Sequence, residues 1–536
     1  MRQRILSKYK YLDEKLENTY IMNKLFKFKL LYEILLDASQ KFPQNKLILN
    51  KNEYNTYSSF LAQVELNANI LWQVGLRPYQ VVTIQIESLR NFLLAFFSCL
   101  RIGVIPLLSL PGHQKKELLN LVNTVCASFI ITEKNFISAK NHLSMYTTIT
   151  KQANNPIQVL LIDSLPSPTY QHNKIPKFLE IKKLVSSNDP GLMLVSGGTT
   201  GKPKVIARSH NDYYYNIQCA IKQTQLSSSD IYLSILPVAH NFILSAPGIL
   251  GSIMTGSSLV QCNNPSPENV FKVINDHKVT ITALVPSIAN LWTETLQREP
   301  IDLSSIRVIQ VGGARFSPQC AQAFDQIIGR KLQQVYGMAE GLICFTELNS
   351  LRKLTWMTQG KPMSSYDELK IIGEDGNPLP LGSEGELLVR GPYTIRGYYG
   401  NERANHDSFS PDGFYRTGDK VRLLKSGDVI ITGRIKDIII RAGENIDCSE
   451  IEELAMSHPN IKEAALVGLP DEVLGEKSCL VITGDNPPNY SEIRKYFSQN
   501  QVATFKIPDE LVIEKKLPKT SINKIDKKKI IRKLCS

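Results

Sequence analysis

With 536 residues, 43% of them hydrophobic, the chain exceeds the size at which one core stops growing, so at least two domains are expected. Its net charge of +12 is spread thinly; the densest runs, at the N-terminus and over 515–533, carry no RNP, zinc-finger or recognition-helix pattern, which argues against a nucleic-acid-binding module. Nine scattered cysteines with no CxxC pair support neither a disulfide framework nor a zinc site.

The first twenty residues are basic but lack the apolar core and small-residue cleavage site of a secretory signal, and a cytoplasmic protein is expected. Amphipathic helical segments over 31–40 and 57–74 alternate with the apolar strand 81–85, which reads as α/β. The apolar run 92–110 is interrupted by Arg101, Gly103 and Pro106, predicting a buried helix, turn and strand rather than a membrane span. Strands at 281–285 and 308–311 flank a helical pattern over 287–296. From Lys370 the pattern turns antiparallel, with strands at 384–390 and 429–432 separated by turns at Pro411-Asp-Gly413 and Lys425-Ser-Gly427. After Gly433 a compact α+β unit begins, its first helix marked at Ser449 by a capping box with Glu452.

The stretch Ser196–Lys204, SGGTTGKPK, follows the apolar run 191–195. Exposed amides, hydroxyls and lysines after a strand favour a polyphosphate. A Walker loop would need GxxxxGK[ST]. Here Ser196 stands where its first glycine must be, and Pro203, without a hydroxyl for Mg²⁺, where its Ser/Thr must be. A phosphate-transferring NTPase is thereby disfavoured.

SGGTTGKPK, continuing into VIARSHNDY, resembles the phosphate-binding signature of the AMP-forming acyl-adenylate enzymes, the superfamily of acyl-CoA synthetases, peptide-synthetase adenylation domains and luciferases. Leu236–Asn241, Val311–Arg315, Tyr336–Glu340, Tyr415–Asp419, Gly433–Asp437 and Pro518–Lys524 match further motifs in the family's order. Phrases such as QVYGMAEGL at 334–342 and RGPYTIRGYY at 390–399 are most similar to the stand-alone 2,3-dihydroxybenzoate and salicylate AMP ligases of siderophore and nonribosomal peptide biosynthesis. The resemblance implies an α/β fold. A large N-terminal adenylate-forming domain, 1–435, would hold two α/β subdomains and a β-rich one. A small mobile α+β C-terminal domain, 436–536, would turn on a hinge near Lys436.

The resemblance also implies the reaction. A carboxylate attacks the α-phosphate of MgATP to give acyl-AMP and pyrophosphate, and a thiol then displaces AMP. Attack of one anion on another demands cations and positioning. Lys524 matches the catalytic lysine; Asn523 precedes it where the family usually has glycine, and asparagine best tolerates left-handed backbone among other residues. Ser196, Gly197, Gly198, Thr199, Thr200, Gly201 and Lys204 match the polyphosphate loop, and Gly313 and Tyr336 the nucleotide contacts, with Tyr336 on adenine. Glu340 matches the Mg²⁺ carboxylate, Asp419 the ribose carboxylate and Arg434 a further nucleotide contact. Gly443, in the Arg441–Asn445 loop, would let a phosphopantetheine arm pass close to backbone. The acceptor implied is that arm on an aryl carrier protein, with CoA the alternative.

Amino-acid-adenylating domains place an aspartate for the substrate ammonium where this chain has Asn241. A neutral amide can bond an ortho-hydroxyl but cannot neutralise an ammonium, which favours an aryl acid. His240 falls beside the carboxylate and phosphates; Asn241, Phe242, Ala246, Gly312, Ala314, Ala339 and Ile343 carry over as the acid pocket. The dihydroxybenzoate enzymes usually have serine at 246, for the 3-hydroxyl, and valine at 343. Ala246 offers no such partner, and an unpaired buried hydroxyl costs roughly 1–3 kcal/mol. Salicylate is therefore expected first and 2,3-dihydroxybenzoate next.

Overall fold

The computed structural model describes residues 2–50, 54–136, 142–165, 175–196, 203–314, 316–373, 375–435, 438–518, 525 and 527–535, with backbone alone at 434, 449, 453 and 528. Two mostly parallel sheets form its body. In one, the strands run in the order Gln158–Leu161, Phe129–Thr132, Val81–Ile84, Ile105–Leu108, Pro190–Ser196 and Lys204–Ser209. In the other, nine strands centre on the parallel set Ser258–Gln261, Ile231–Ser234, Ile281–Leu284, Val308–Gly312 and Leu332–Gly337. Every residue of Val81–Ile84, Ile105–Leu108 and Ile281–Leu284 is buried, as expected of parallel strands covered on both faces.

Local signals account for the elements flanking these strands. Ser88 caps the helix Leu89–Arg101 by accepting the Asn91 amide, and most of that helix is buried. Arg101, the charge inside the apolar run, pairs with Glu65 at 2.7 Å. The helix, turn and strand predicted there are thus present, and no described helix is long and apolar enough to cross a membrane. Downstream, Glu368–Ile372, Glu384–Arg390, Tyr415–Leu423 and Val429–Arg434 make an antiparallel four-stranded sheet.

A separate five-stranded sheet is built wholly from later strands: Ile438–Arg441, Glu444–Asp447, Glu463–Asp471, Gly475–Thr483 and Glu510–Ile513. It encloses its own core around Ile439, Ile451, Leu466 and Phe497. Its first helix is Cys448–Met456, beginning one residue before the Ser449 expected from sequence. Glu452 accepts the Leu466 amide at 2.6 Å and meets Lys527 at 2.8 Å, tying that helix to a strand and to the C-terminal helix Lys527–Cys535.

The N-terminal segment is packed onto the body. Tyr11 donates to Asp189 at 2.8 Å, the Leu31 amide donates to His210 Nδ1 at 3.0 Å, and Tyr20 and Phe26 share an apolar cluster with Ala246, Val335 and Ile343.

Candidate active site

Three loops at the carboxyl ends of neighbouring parallel strands converge, the usual place for a ligand in a sheet of this kind. His240 follows Ile231–Ser234, Gly313 follows Val308–Gly312, and Met338, Ala339 and Glu340 follow Leu332–Gly337. All of them line one cleft, which Ser196 and Lys204 reach from the other parallel sheet and Asp419 from the antiparallel one. Ser196 pairs with Lys204 in antiparallel register, so the two ends of the motif lie side by side. Its residues Gly197, Gly198, Thr199, Thr200 and Gly201 lie outside the described residues.

The end of the cleft around Asp419 and Glu340 is rich in hydroxyls. Tyr336 donates to Asp419 Oδ2 at 2.7 Å, and Asp419 is 3% exposed. Tyr398 donates to Glu340 Oε1 at 2.9 Å, and its hydroxyl lies 3.0 Å from that of Tyr415. Burial, reinforced by the Glu340 carboxylate, raises the Tyr398 pKa well above the usual phenol value, so it stays a donor. Lys204 Nζ sits 4.4 Å over the Tyr398 ring, a cation–π contact that holds a positive charge near Glu340. The Ser196 hydroxyl is buried without a hydrogen-bond partner among the described residues. No group of three or more metal-ligating side chains occurs among the described residues. One carboxylate, Glu340, suits Mg²⁺, which keeps waters and takes substrate phosphates rather than a protein cage. Arg434 faces Asp419 across the strand ladder; its side chain is not described.

At the other end, His240 is the N-cap of the helix Asn241–Ser245, its Nδ1 accepting the Phe242 amide at 3.3 Å. That bond leaves the proton on Nε2. Burial lowers the His240 pKa, with Glu444 pulling the other way. Asn241 Oδ1 accepts from Tyr213 at 2.8 Å and from Ser245 at 3.3 Å. Its amide nitrogen, without a partner among the described residues, is the donor available to the cleft. Phe242, Ala246, Ala339 and Ile343 line this end. Gly312 lies one layer behind, where a Cβ would come within 2.5 Å of the Val335 carbonyl and 3.1 Å of the Phe242 ring; neither it nor Ala314 reaches the lining.

The C-terminal unit closes the third side. The hairpin Ile438–Arg441 and Glu444–Asp447 is anchored by Arg441, which meets Asp509 at 2.7 Å. Its turn inserts Gly443 into the cleft so closely that a Cβ there would stand 2.7 Å from Val285 Cγ1. No described residue beyond Lys506 lines the cleft. Lys436 and Lys524 fall outside the described residues.

Two contributors fall in the continuation VIARSHNDY without being singled out there. Tyr213 belongs to the helix His210–Thr224 and is the first of three consecutive tyrosines. Arg208, fully buried, joins Asp212 at 2.8 Å and donates to the Ala339 carbonyl at 3.0 Å, holding the turn that carries Glu340. Such contacts link distant chain segments, so no local spacing announces them.

The family model described as AMP-binding enzyme matches residues 35–399, and that of the AMP-binding enzyme C-terminal domain matches 450–524. The salicyl-AMP ligase / salicyl-S-ArCP synthetase of Mycobacterium tuberculosis is 39% identical over 511 residues, 94% of this chain and 90% of that protein. The vibriobactin-specific 2,3-dihydroxybenzoate-AMP ligase of Vibrio cholerae is 37% identical over 525 residues, 94% of each. The apo structure of MbtA from Mycobacterium smegmatis aligns with a TM-score of 0.73 at 36% identity, covering 98% of this chain and 99% of that one. The chain thus belongs to the AMP-binding enzyme family, the AMP-forming acyl-adenylate superfamily, and is an AMP-forming ligase with aryl-acid AMP ligases among its relatives.

Proposed function

We propose that the protein is an aryl-acid AMP ligase of siderophore biosynthesis that activates salicylate in preference to 2,3-dihydroxybenzoate and passes it to the phosphopantetheine thiol of an aryl carrier protein. The orientation of Asn241 carries this reading. With Tyr213 and Ser245 donating to Oδ1, the amide presents N–H groups to the cleft, the right partner for the oxygen of an ortho-hydroxyl. The buried methyl of Ala246 and the side chain of Ile343 give a 3-hydroxyl nothing to bond.

The substrate carboxylate lies beside neutral His240, whose Nε2–H is free to donate to it or to an α-phosphate oxygen. Glu340 takes the Mg²⁺ of MgATP, Asp419 the ribose hydroxyls and Tyr336 the adenine face. Ser196, Lys204 and the glycine- and threonine-rich residues between them hold the β- and γ-phosphates that leave as pyrophosphate. Lys524 supplies the cation between carboxylate and α-phosphate in the first step. In the second, the domain turns about Lys436 and the Gly443 hairpin borders the path of the incoming thiol. The position of Gly443 beside Val285 supports that arrangement.

ATP–pyrophosphate exchange across salicylate, 2,3-dihydroxybenzoate, benzoate and anthranilate tests the substrate class. Salicylate is expected to lead, and Ala246→Ser to raise 2,3-dihydroxybenzoate relative to salicylate. No exchange with any aryl acid would refute the class, and an unmoved ratio in Ala246→Ser would refute the role of that position. Thioester formation on a carrier protein against free CoA separates the two acceptors.

A further inference from the structure

The C-terminal unit meets the body at a second place, where the cleft opens along the seam between them. Lys506, in the short 3-10 turn Thr504–Lys506, places Nζ 2.9 Å from Glu450 Oε2 and 3.6 Å from Glu117 Oε1. Glu450 belongs to Cys448–Met456 in its own unit, whereas Glu117 sits in the helix Lys115–Val125 of the body. The three side chains are 14%, 8% and 5% exposed, in the order Lys506, Glu450, Glu117. Glu117 Oε2 accepts the Gln114 amide at 3.1 Å, which caps its helix, while Oε1 is buried with no hydrogen bond.

A carboxylate so far out of water needs a cation beside it. His113, a titratable neighbour on the body, is not that cation. Its Nδ1 bonds the Ser109 hydroxyl at 2.9 Å, and burial takes its pKa down to about 4. Lys506 is the charge that faces Glu117, and it belongs to the other unit. The pair and Gly443 are two separate contacts of the same unit with the body.

We propose that Glu117 and Lys506 are positioning residues for thioester formation: their ion pair across the seam holds the C-terminal unit where Gly443 borders the cleft, and it must part for that unit to take another orientation in the adenylation step. The proposal rests on the two-step reading above. Removing Lys506 leaves the buried Glu117 carboxylate uncompensated, whereas removing Glu117 leaves Lys506 paired with Glu450 inside its own unit and untied from the body; either way the orientation that depends on the pair loses population.

Glu117→Gln removes the charge and keeps an acceptor for the Gln114 amide. In the free full-length protein, backbone hydrogen exchange over 438–447 and 504–506 should quicken severalfold. ATP–pyrophosphate exchange should stay within about twofold of wild type, while transfer from aryl-AMP to the thiol slows about tenfold, within the usual range of conformational coupling. Lys506→Met should act in the same direction, and the double variant should add little to either single one. Unchanged protection of the hairpin in both variants, equal losses in the two half-reactions, or additive effects would each overturn the proposal. The hydrogen-exchange measurement needs no substrate, so a wild type inactive toward every aryl acid would refute the substrate reading while this proposal stood or fell on hairpin protection.

Discussion

At Asn241, Tyr213 and Ser245 both donate to the carbonyl oxygen, and a side chain that could present either end to the cleft is held with its N–H groups forward. Losing one such donor costs roughly 0.5–1.5 kcal/mol. Tyr213→Phe is therefore expected to raise KM for salicylate by roughly 2- to 10-fold and to leave KM for benzoate, which has no ortho-hydroxyl, unchanged. Equal changes for both acids would show that Tyr213 only supports the fold. Asn241, Ala246 and Ile343 were legible because they sit at fixed offsets from family motifs. Tyr213 ends the stretch VIARSHNDY, but its contact with Asn241 was not legible, because it spans 28 positions of the chain.

In the hairpin Ile438–Arg441 and Glu444–Asp447, consecutive positive φ values at Ala442 and Gly443, 49° and 89°, make the kind of turn that matches the twist of paired strands. A side chain at 443 would strain that φ and collide with Val285. Gly443→Ala is expected to slow thioester formation by roughly 5- to 100-fold, the effect that backbone strain of 1–3 kcal/mol produces, while ATP–pyrophosphate exchange persists. An equal fall in both half-reactions would mean that the hairpin serves only stability. Most elements were readable from pattern: the strand expected at 384–390 is Glu384–Arg390, and the helix expected over 57–74 is Tyr57–Gln73. The antiparallel pairing of Ser196 with Lys204 was not, since it depends on the sheet beneath it.

Across the whole molecule, the N-terminal segment is held through His210, which is 3% exposed and accepts the Leu31 amide. Gly191 makes room for it, since a Cβ there would stand 2.5 Å from its Nδ1. Burial takes the His210 pKa from 6.5 down to about 4, with Asp189 opposing. The folded value lies below the unfolded one, so as pH falls below 6.5 the unfolded chain takes the proton first. The stability contributed by neutral His210 is then lost towards pH 4, at up to about 1.4 kcal/mol per pH unit. The advantage of wild type over His210→Gln in urea or thermal unfolding should shrink between pH 7 and 4, and a constant gap would refute the assignment. The sequence by itself determined the α/β class and, through the motifs that carry the family resemblance, the AMP-forming chemistry, because both show in residue types at short, ordered spacings. Only the tertiary structure decided which way the Asn241 amide faces, that Gly443 borders the cleft beside Val285, and that Glu117 meets its cation on the C-terminal unit. Each of these is a contact between segments far apart in the chain, made by packing that no local pattern encodes.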